Sequence, residues 1–244
     1  MAEPIRIAMW SGPRNISTAM MRSFENRPDT IVEDEPFYAH YLVKTGVEHP
    51  CRIETIKSQE NDWDKVSQYL VGEIPSRRTV WYQKHMAQHN LPGCDLEWTK
   101  KMVNCFLIRN PKEVIVSFSK KFEIKSSLQL GFIQQLELFN KLKNETEHTP
   151  VVIDAMDILL NPHESLTVLC RKIDIPFMKE MLYWPSGPRD SDGVWAKHWY
   201  QNVEASTGFN PYKKTENESL DQYDEILNEC MDGYNYLKQF SIKD

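Results

Sequence analysis

Several things are scarce or missing in this 244-residue chain, and each closes off a class of protein. The five cysteines (Cys51, Cys94, Cys105, Cys170 and Cys230) are scattered, and no Cys-x-x-Cys pair occurs. Neither a zinc ribbon nor a disulfide framework is expected, and no metal site is assigned. No apolar run approaches the ~20 residues of a bilayer span, so no membrane insertion is expected. Met1-Ala2-Glu3-Pro4 shows no basic stretch ahead of a long apolar region, unlike a signal peptide. Positive charge is in deficit: 29 Lys+Arg face 35 Asp+Glu, a net charge of −6. A general nucleic-acid binder needs a basic face to displace counterions from phosphates, so nucleic acid is not an expected partner. A local site for one small phosphorylated ligand needs only a few donors and stays open. No repeat, low-complexity tract or Gly/Ser linker divides the chain, so one domain over residues 1–244 is expected.

What is present is an ordinary globular mixture, 41% apolar and 26% charged. Short apolar runs at residues 5–10, 30–33, 79–83, 103–108 and 151–154 predict five strands. Helical spacing predicts helices at 16–26, 112 to about 122, 128–142, 162–172 and 220–240. Asn110 and Pro111 supply an N-cap and first helical residue for the second of these. The acidic stretch from Glu216 to Glu229 reads as the exposed side of the last helix, with Ile226 and Leu227 inward. Strands alternating with helices predict an α/β fold, three layers with a central, mainly parallel five-stranded sheet. Ligands bind such sheets at the carboxyl ends of the strands, which selects the loops after residues 10, 33, 83 and 109.

The first of these loops reads Ser11-Gly12-Pro13-Arg14-Asn15-Ile16-Ser17-Thr18. A strand–loop–helix unit offers backbone N–H groups and a helix N-terminus to an anion. Arg14 adds a permanent charge, and Ser17 and Thr18 add hydroxyl donors. The same residues could equally cap a helix after a buried strand. Gly-Lys-Ser/Thr is absent, which disfavours a nucleotide triphosphatase. The sequon at Asn15 falls inside the loop, where a glycan would block it; this favours a cytoplasmic protein.

Phe106-Leu107-Ile108-Arg109-Asn110-Pro111, continuing to Ser117, resembles the Arg-Asp-Pro…Ser segment of the sulfotransferases. The first loop then resembles their 5′-phosphosulfate loop, Pro-Arg-Ser-Gly-Ser/Thr-Thr. Arg14, Ser17 and Thr18 match, while Asn15 and Ile16 replace Ser-Gly. Ile resists positive φ, so a tighter or differently shaped loop is expected. Asp157-Ile158-Leu159-Leu160-Asn161-Pro162 resembles the element after the family's fifth strand, with Ala155 where the family usually has Tyr. Gly187-Pro188-Arg189-Asp190-Ser191-Asp192-Gly193-Val194-Trp195 is similar to the lid over the co-substrate through Arg189, Gly193 and Trp195. The four segments span residues 5–200 in the family's order.

The resemblance implies a P-loop-like sulfotransferase fold and a sulfuryl transfer from 3′-phosphoadenylyl sulfate to a small-molecule acceptor. It implies that Gly12, Pro13, Arg14, Asn15, Ile16, Ser17 and Thr18 hold the 5′ end of that co-substrate. Arg109 and Ser117 would hold its 3′-phosphate, with Arg189 and Gly193 in the lid. Arg14 is the candidate for stabilising charge in the transition state, and no metal is required. Two residues are candidates for the base that takes the acceptor's proton. Gln83-Lys84-His85 resembles the family's Lys-Thr-His element and offers His85. Glu33-Asp34-Glu35-Pro36-Phe37 resembles the Glu-Pro-Leu/Phe segment of carbohydrate-type members and offers Glu35. The aromatic run Trp195, His198, Trp199 and Tyr200 could stack an adenine or shape the acceptor pocket. Two other readings stand beside this one. One is a phosphotransferase holding Mg²⁺ at Glu33-Asp34-Glu35; the other is a non-catalytic binding module, suggested by Ile16 and Ala155.

Overall fold

The structure, a computed structural model, describes residues 4–146, 148–212 and 220–243. The Glu216 end of the acidic stretch therefore lies outside the described residues. Five strands form one sheet: β1 Ile5–Ser11, β2 Thr30–Asp34, β3 Val80–Met86, β4 Val103–Ile108 and β5 Val151–Asp154. Their order is β2-β3-β1-β4-β5 and every pairing is parallel. The helices are α1 Ser17–Glu25, α2 Tyr38–Thr45, α3 Arg52–Ser58, α4 Trp63–Leu70, α5 Pro111–Ser119 and α6 Phe132–Glu145. There follow α7 Ala155–Leu160, α8 Pro162–Lys172, α9 Ala196–Trp199, α10 Gln201–Glu204 and α11 Asp224–Lys238. None of the described helices is long and apolar enough to cross a membrane.

Both faces of the sheet are covered, which is why β1, β4 and β5 are mostly apolar, while β2 and β3 carry polar residues toward their carboxyl ends. Alternation along β1 sends Ala8 and Trp10 into a core with α4, α5, α6 and α11, and Ile7 and Met9 into a core with α1 and α8. Helix α5 begins as expected, with Asn110 accepting from the Lys112 N–H at 3.0 Å and Pro111 at its first position. The predicted helix at 128–142 is broken. A short 3₁₀ turn, Ser127–Leu130, stops at Gly131 (φ 76°), and α6 starts beyond it.

The difference with most consequence lies in β3. The polar residues after Gln83 suggest a strand end, yet the strand runs on through Lys84, His85 and Met86. It lies between β1 and β2, pairing Lys84 with Met9 and Asp34, and His85 with Trp10. The Lys84 charge is carried inside the sheet because Asp34, on the neighbouring strand, compensates it at 2.8 Å.

Candidate active site

A cleft of about 900 Å³ opens at the carboxyl ends of β1, β2, β3 and β4. Pro13, Arg14, Asn15, Ile16, Ser17 and Thr18 line it from the loop between β1 and α1; Arg109, Ser117, Glu35 and Lys84 line it from the other strand ends and α5.

Two residues of the loop hold left-handed backbone conformations, Arg14 (φ 58°) and Ile16 (φ 47°). Ile16 thus takes the conformation that favours glycine, at a cost of roughly 1–2 kcal/mol. The chain thus keeps positive φ at this position and accepts the strain. Asn15 holds the turn in place. It is buried, and its Nδ2 donates to the Leu107 carbonyl at 2.6 Å, fixing the loop to the end of β4. Helix α1 then begins with no side-chain cap and no acidic residue in its first turn, so among the described residues no side chain takes up its terminal N–H groups. Gly12 is not in the cleft wall. A Cβ there would lie 2.4 Å from the Leu130 carbonyl oxygen, so its lack of a side chain lets the 3₁₀ turn pack against the loop.

Arg14, Ser117 and Arg109 form one hydrogen-bonded unit. Arg14 Nε donates to Ser117 Oγ at 2.9 Å, and Arg109 Nη1 donates to the Arg14 carbonyl at 2.8 Å. Glu113 accepts from Arg109 Nε at 2.9 Å and from the Tyr212 hydroxyl at 2.6 Å. Burial and the neighbouring Arg109 charge both lower the Arg14 pKa. Among the described residues no carboxylate pairs with Arg14. Among the described residues the head of the cleft is therefore a cationic pair with one counter-charge, Glu113.

The wall opposite carries a buried cluster that sequence reasoning missed. Lys84 Nζ donates to Asp34 Oδ1 (2.8 Å), Glu35 Oε1 (2.5 Å) and the Tyr200 hydroxyl (2.7 Å). Burial lowers the Lys84 pKa, but Asp34 and Glu35 outweigh it and the ammonium is held well above its ordinary range. Glu35 moves up, driven first by burial and also by Asp34, with Lys84 opposing. Its backbone is left-handed (φ 47°) and pinned on both sides: its N–H donates to the Lys84 carbonyl, and its carbonyl accepts from the Tyr38 N–H.

His85 sits one residue before the end of β3 but does not point into the cleft. One residue beyond Lys84, it faces the other side of the sheet, where it stacks on Trp10 at 4.3 Å and lies 3.2 Å from Gln83 Oε1. It is fully buried, and burial together with the Lys84 charge lowers its pKa to about 3. The expectation that it meets the acceptor is corrected by strand parity. His89, in contrast, reaches the cleft, stacked against Tyr38 (4.9 Å) and Tyr41 (4.8 Å).

Arg189 and Gly193 also lie outside the cleft wall. Arg189 donates to the Pro185 carbonyl at 3.0 Å, and the Gly193 N–H donates to Asp34 Oδ2 at 3.2 Å. Trp195, Trp199 and Tyr200 do line the cleft; His198 is exposed and sits 3.1 Å from Cys51 Sγ. Of the element after β5, Leu159 reaches the cleft, while Ala155 is buried behind it. Of the three acids Glu33-Asp34-Glu35, Asp34 and Glu35 converge on Lys84 and Glu33 turns away. Glu33 accepts from the Tyr69 hydroxyl at 3.1 Å, and Asp34 is occupied by Lys84, Tyr200 and the Gly193 N–H.

Fold and site together define a parallel α/β protein with a strand-end cleft that is cationic at its head. The sulfotransferase domain profile matches residues 5–241, and the chain belongs to that family, transferases of sulfuryl groups. It is 38% identical over 239 residues to branched-chain-amino-acid aminotransferase-like protein 1 of Arabidopsis thaliana, covering 98% of this chain and 42% of that one. Protein 2 of the same name is 35% identical, with 95% and 41% covered. The chain thus spans about two-fifths of the length of these curated relatives. Among solved structures, the sulfotransferase domain of a Synechococcus olefin synthase superposes with a TM-score of 0.55 at 16% identity, covering 94% of this chain and 95% of that one. A mouse sulfotransferase complexed with PAP gives 0.56 at 13%, covering 99% and 90%. At these identities the likeness shows the fold.

Proposed function

We propose that the cleft moves a sulfuryl group from 3′-phosphoadenylyl sulfate to a hydroxyl or amine of a small acceptor, within one domain of a cytoplasmic protein. The observation that carries this is the Arg14–Ser117–Arg109 unit beside the uncapped start of α1. Two guanidinium groups with, among the described residues, one counter-charge between them are suited to an anionic ligand, and the family supplies its class. Arg109 and Ser117 hold the 3′-phosphate; Ser117 accepts from Arg14 and keeps its own O–H to donate. Arg14, Ser17, Thr18 and the first N–H groups of α1 hold the 5′-phosphosulfate. The co-substrate supplies the sulfuryl group and departs as adenosine 3′,5′-bisphosphate.

Glu35 is the base. It takes the acceptor's proton as the acceptor oxygen or nitrogen bonds to sulfur, and Lys84 keeps its carboxylate charged beforehand. Burial and Asp34 push its proton affinity up against the opposing pull of Lys84, the direction that makes a carboxylate a stronger base. The cytoplasmic setting is supported by Asn15. Its amide is buried and donates to the Leu107 carbonyl, leaving no room for a glycan. Calorimetry tests the reading: the protein should bind adenosine 3′,5′-bisphosphate in the micromolar range without metal. Tight binding of Mg²⁺–ATP with none of the bisphosphate would overturn it.

A further inference from the structure

The segment from Asp192 to Tyr200 is fastened to the sheet through buried polar groups. Arg22 of α1 donates to Asp192 at 2.6 Å, with both side chains nearly inaccessible. The Gly193 N–H and the Tyr200 hydroxyl converge on Asp34, the hydroxyl lying 2.9 and 2.8 Å from its two oxygens. Trp195 Nε1 donates to the same hydroxyl at 3.2 Å. Lys84 has three N–H groups and three acceptors, one of which is Tyr200. Every donor of the ammonium is used, and one of its acceptors comes from 116 residues away.

We propose that Tyr200 and Asp34 are positioning residues that act through Lys84 to place the Glu35 carboxylate, so that the base is assembled when the Asp192–Tyr200 segment is docked. The proposal rests on the reading of Glu35 as base. The charged and titratable groups around that carboxylate are Lys84 from β3, Asp34 from β2, Tyr38 from α2 and Tyr200 from the docked segment; Arg22 and Asp192 lie behind Asp34. Lys84 is one cation shared by two carboxylates. The Tyr200 hydroxyl satisfies part of the Asp34 charge and leaves the ammonium free to serve Glu35. Without that hydroxyl, Asp34 draws Lys84 toward itself and Glu35 loses counter-charge. Without the Asp34 charge, Lys84 turns wholly to Glu35.

The two perturbations therefore move the Glu35 titration in opposite directions, which a merely structural role would not do. The test is a ¹³C NMR titration of protein labelled at the Glu side-chain carboxyl, with the Glu35 resonance assigned by its loss in Glu35→Gln. Tyr200→Phe should raise the proton affinity of Glu35 about tenfold, and Asp34→Asn should lower it by at least as much. Trp195→Phe should shift it in the Tyr200→Phe direction by less. Unchanged midpoints in Tyr200→Phe and Trp195→Phe overturn the proposal even if Asp34→Asn does not fold, and so do shifts of the same sign in Tyr200→Phe and Asp34→Asn. Failure of the underlying reading looks different: Glu35→Gln would then retain turnover while the opposed titration shifts persist.

Discussion

Replacing Arg109 by alanine should weaken binding only of ligands that carry a 3′-phosphate. In the free protein Arg109 makes a partly exposed i,i+4 pair with Glu113, worth about 0.5 kcal/mol, and one hydrogen bond to the Arg14 carbonyl, worth about 1 kcal/mol. Relief of its repulsion with Arg14 offsets part of that loss, and Glu113 keeps Tyr212 as a partner. The variant should therefore fold with a stability deficit of about 1 kcal/mol. Against a bound phosphate the missing guanidinium forfeits charge-assisted hydrogen bonds worth roughly 1.5–3 kcal/mol, about 10- to 150-fold in affinity. Calorimetry of both proteins with adenosine 3′,5′-bisphosphate and with adenosine 5′-monophosphate closes a double-mutant cycle between side chain and phosphate. The monophosphate should bind both proteins alike, and the whole loss should fall on the bisphosphate. Equal weakening of the two ligands, or of neither, would refute the 3′-phosphate assignment.

Glu35→Gln should cut consumption of sulfur-labelled donor in the presence of an acceptor by roughly 10²- to 10⁴-fold while leaving bisphosphate affinity intact. His85→Gln should instead lower the melting temperature through lost packing on Trp10 and keep turnover; the reverse pattern would restore His85 as base. Glu33 gives a pH signature, since burial, opposed by Tyr69 and reinforced by Asp34, raises its pKa from 4.5 to about 7. Between those values the folded chain holds more protons than the unfolded one, so stability falls as pH rises, by about 1–2 kcal/mol for this partly exposed group. Melts of Glu33→Gln and the parent should coincide at pH 5 and separate at pH 8 with the variant higher; a constant offset would contradict the shift. Ile16→Gly should change stability by less than about 1 kcal/mol, because relief of left-handed strain offsets lost packing and added chain entropy. A loss beyond about 2 kcal/mol in chemical denaturation would show that the Ile16 backbone is unstrained.

Four of the five strands were legible almost to the residue, because a sheet covered on both faces demands short unbroken apolar runs. Helices α2, α3 and α4 were not. They are seven or eight residues long and mix polar with apolar residues, so no periodicity stands out over so short a span. The loop after β1 was legible because strand-end position and charge are local properties, and the Arg109…Ser117 segment because it resembles a sulfotransferase motif. The contacts of Arg189 and Gly193 were not legible, since they depend on Pro185 and on Asp34, a residue of another strand.

The sequence by itself determined the five strands along the chain, the parallel sheet, and the two arginines that the topology must bring to one edge. Only the tertiary structure decided which residue of Gln83-Lys84-His85 faces the cleft. Polarity marks all three as a strand end, yet a strand held between two neighbours continues wherever a partner can compensate a buried charge. Asp34 provides that compensation, β3 runs on, and the two-residue period of the strand turns Lys84 toward Glu35 and His85 into the core.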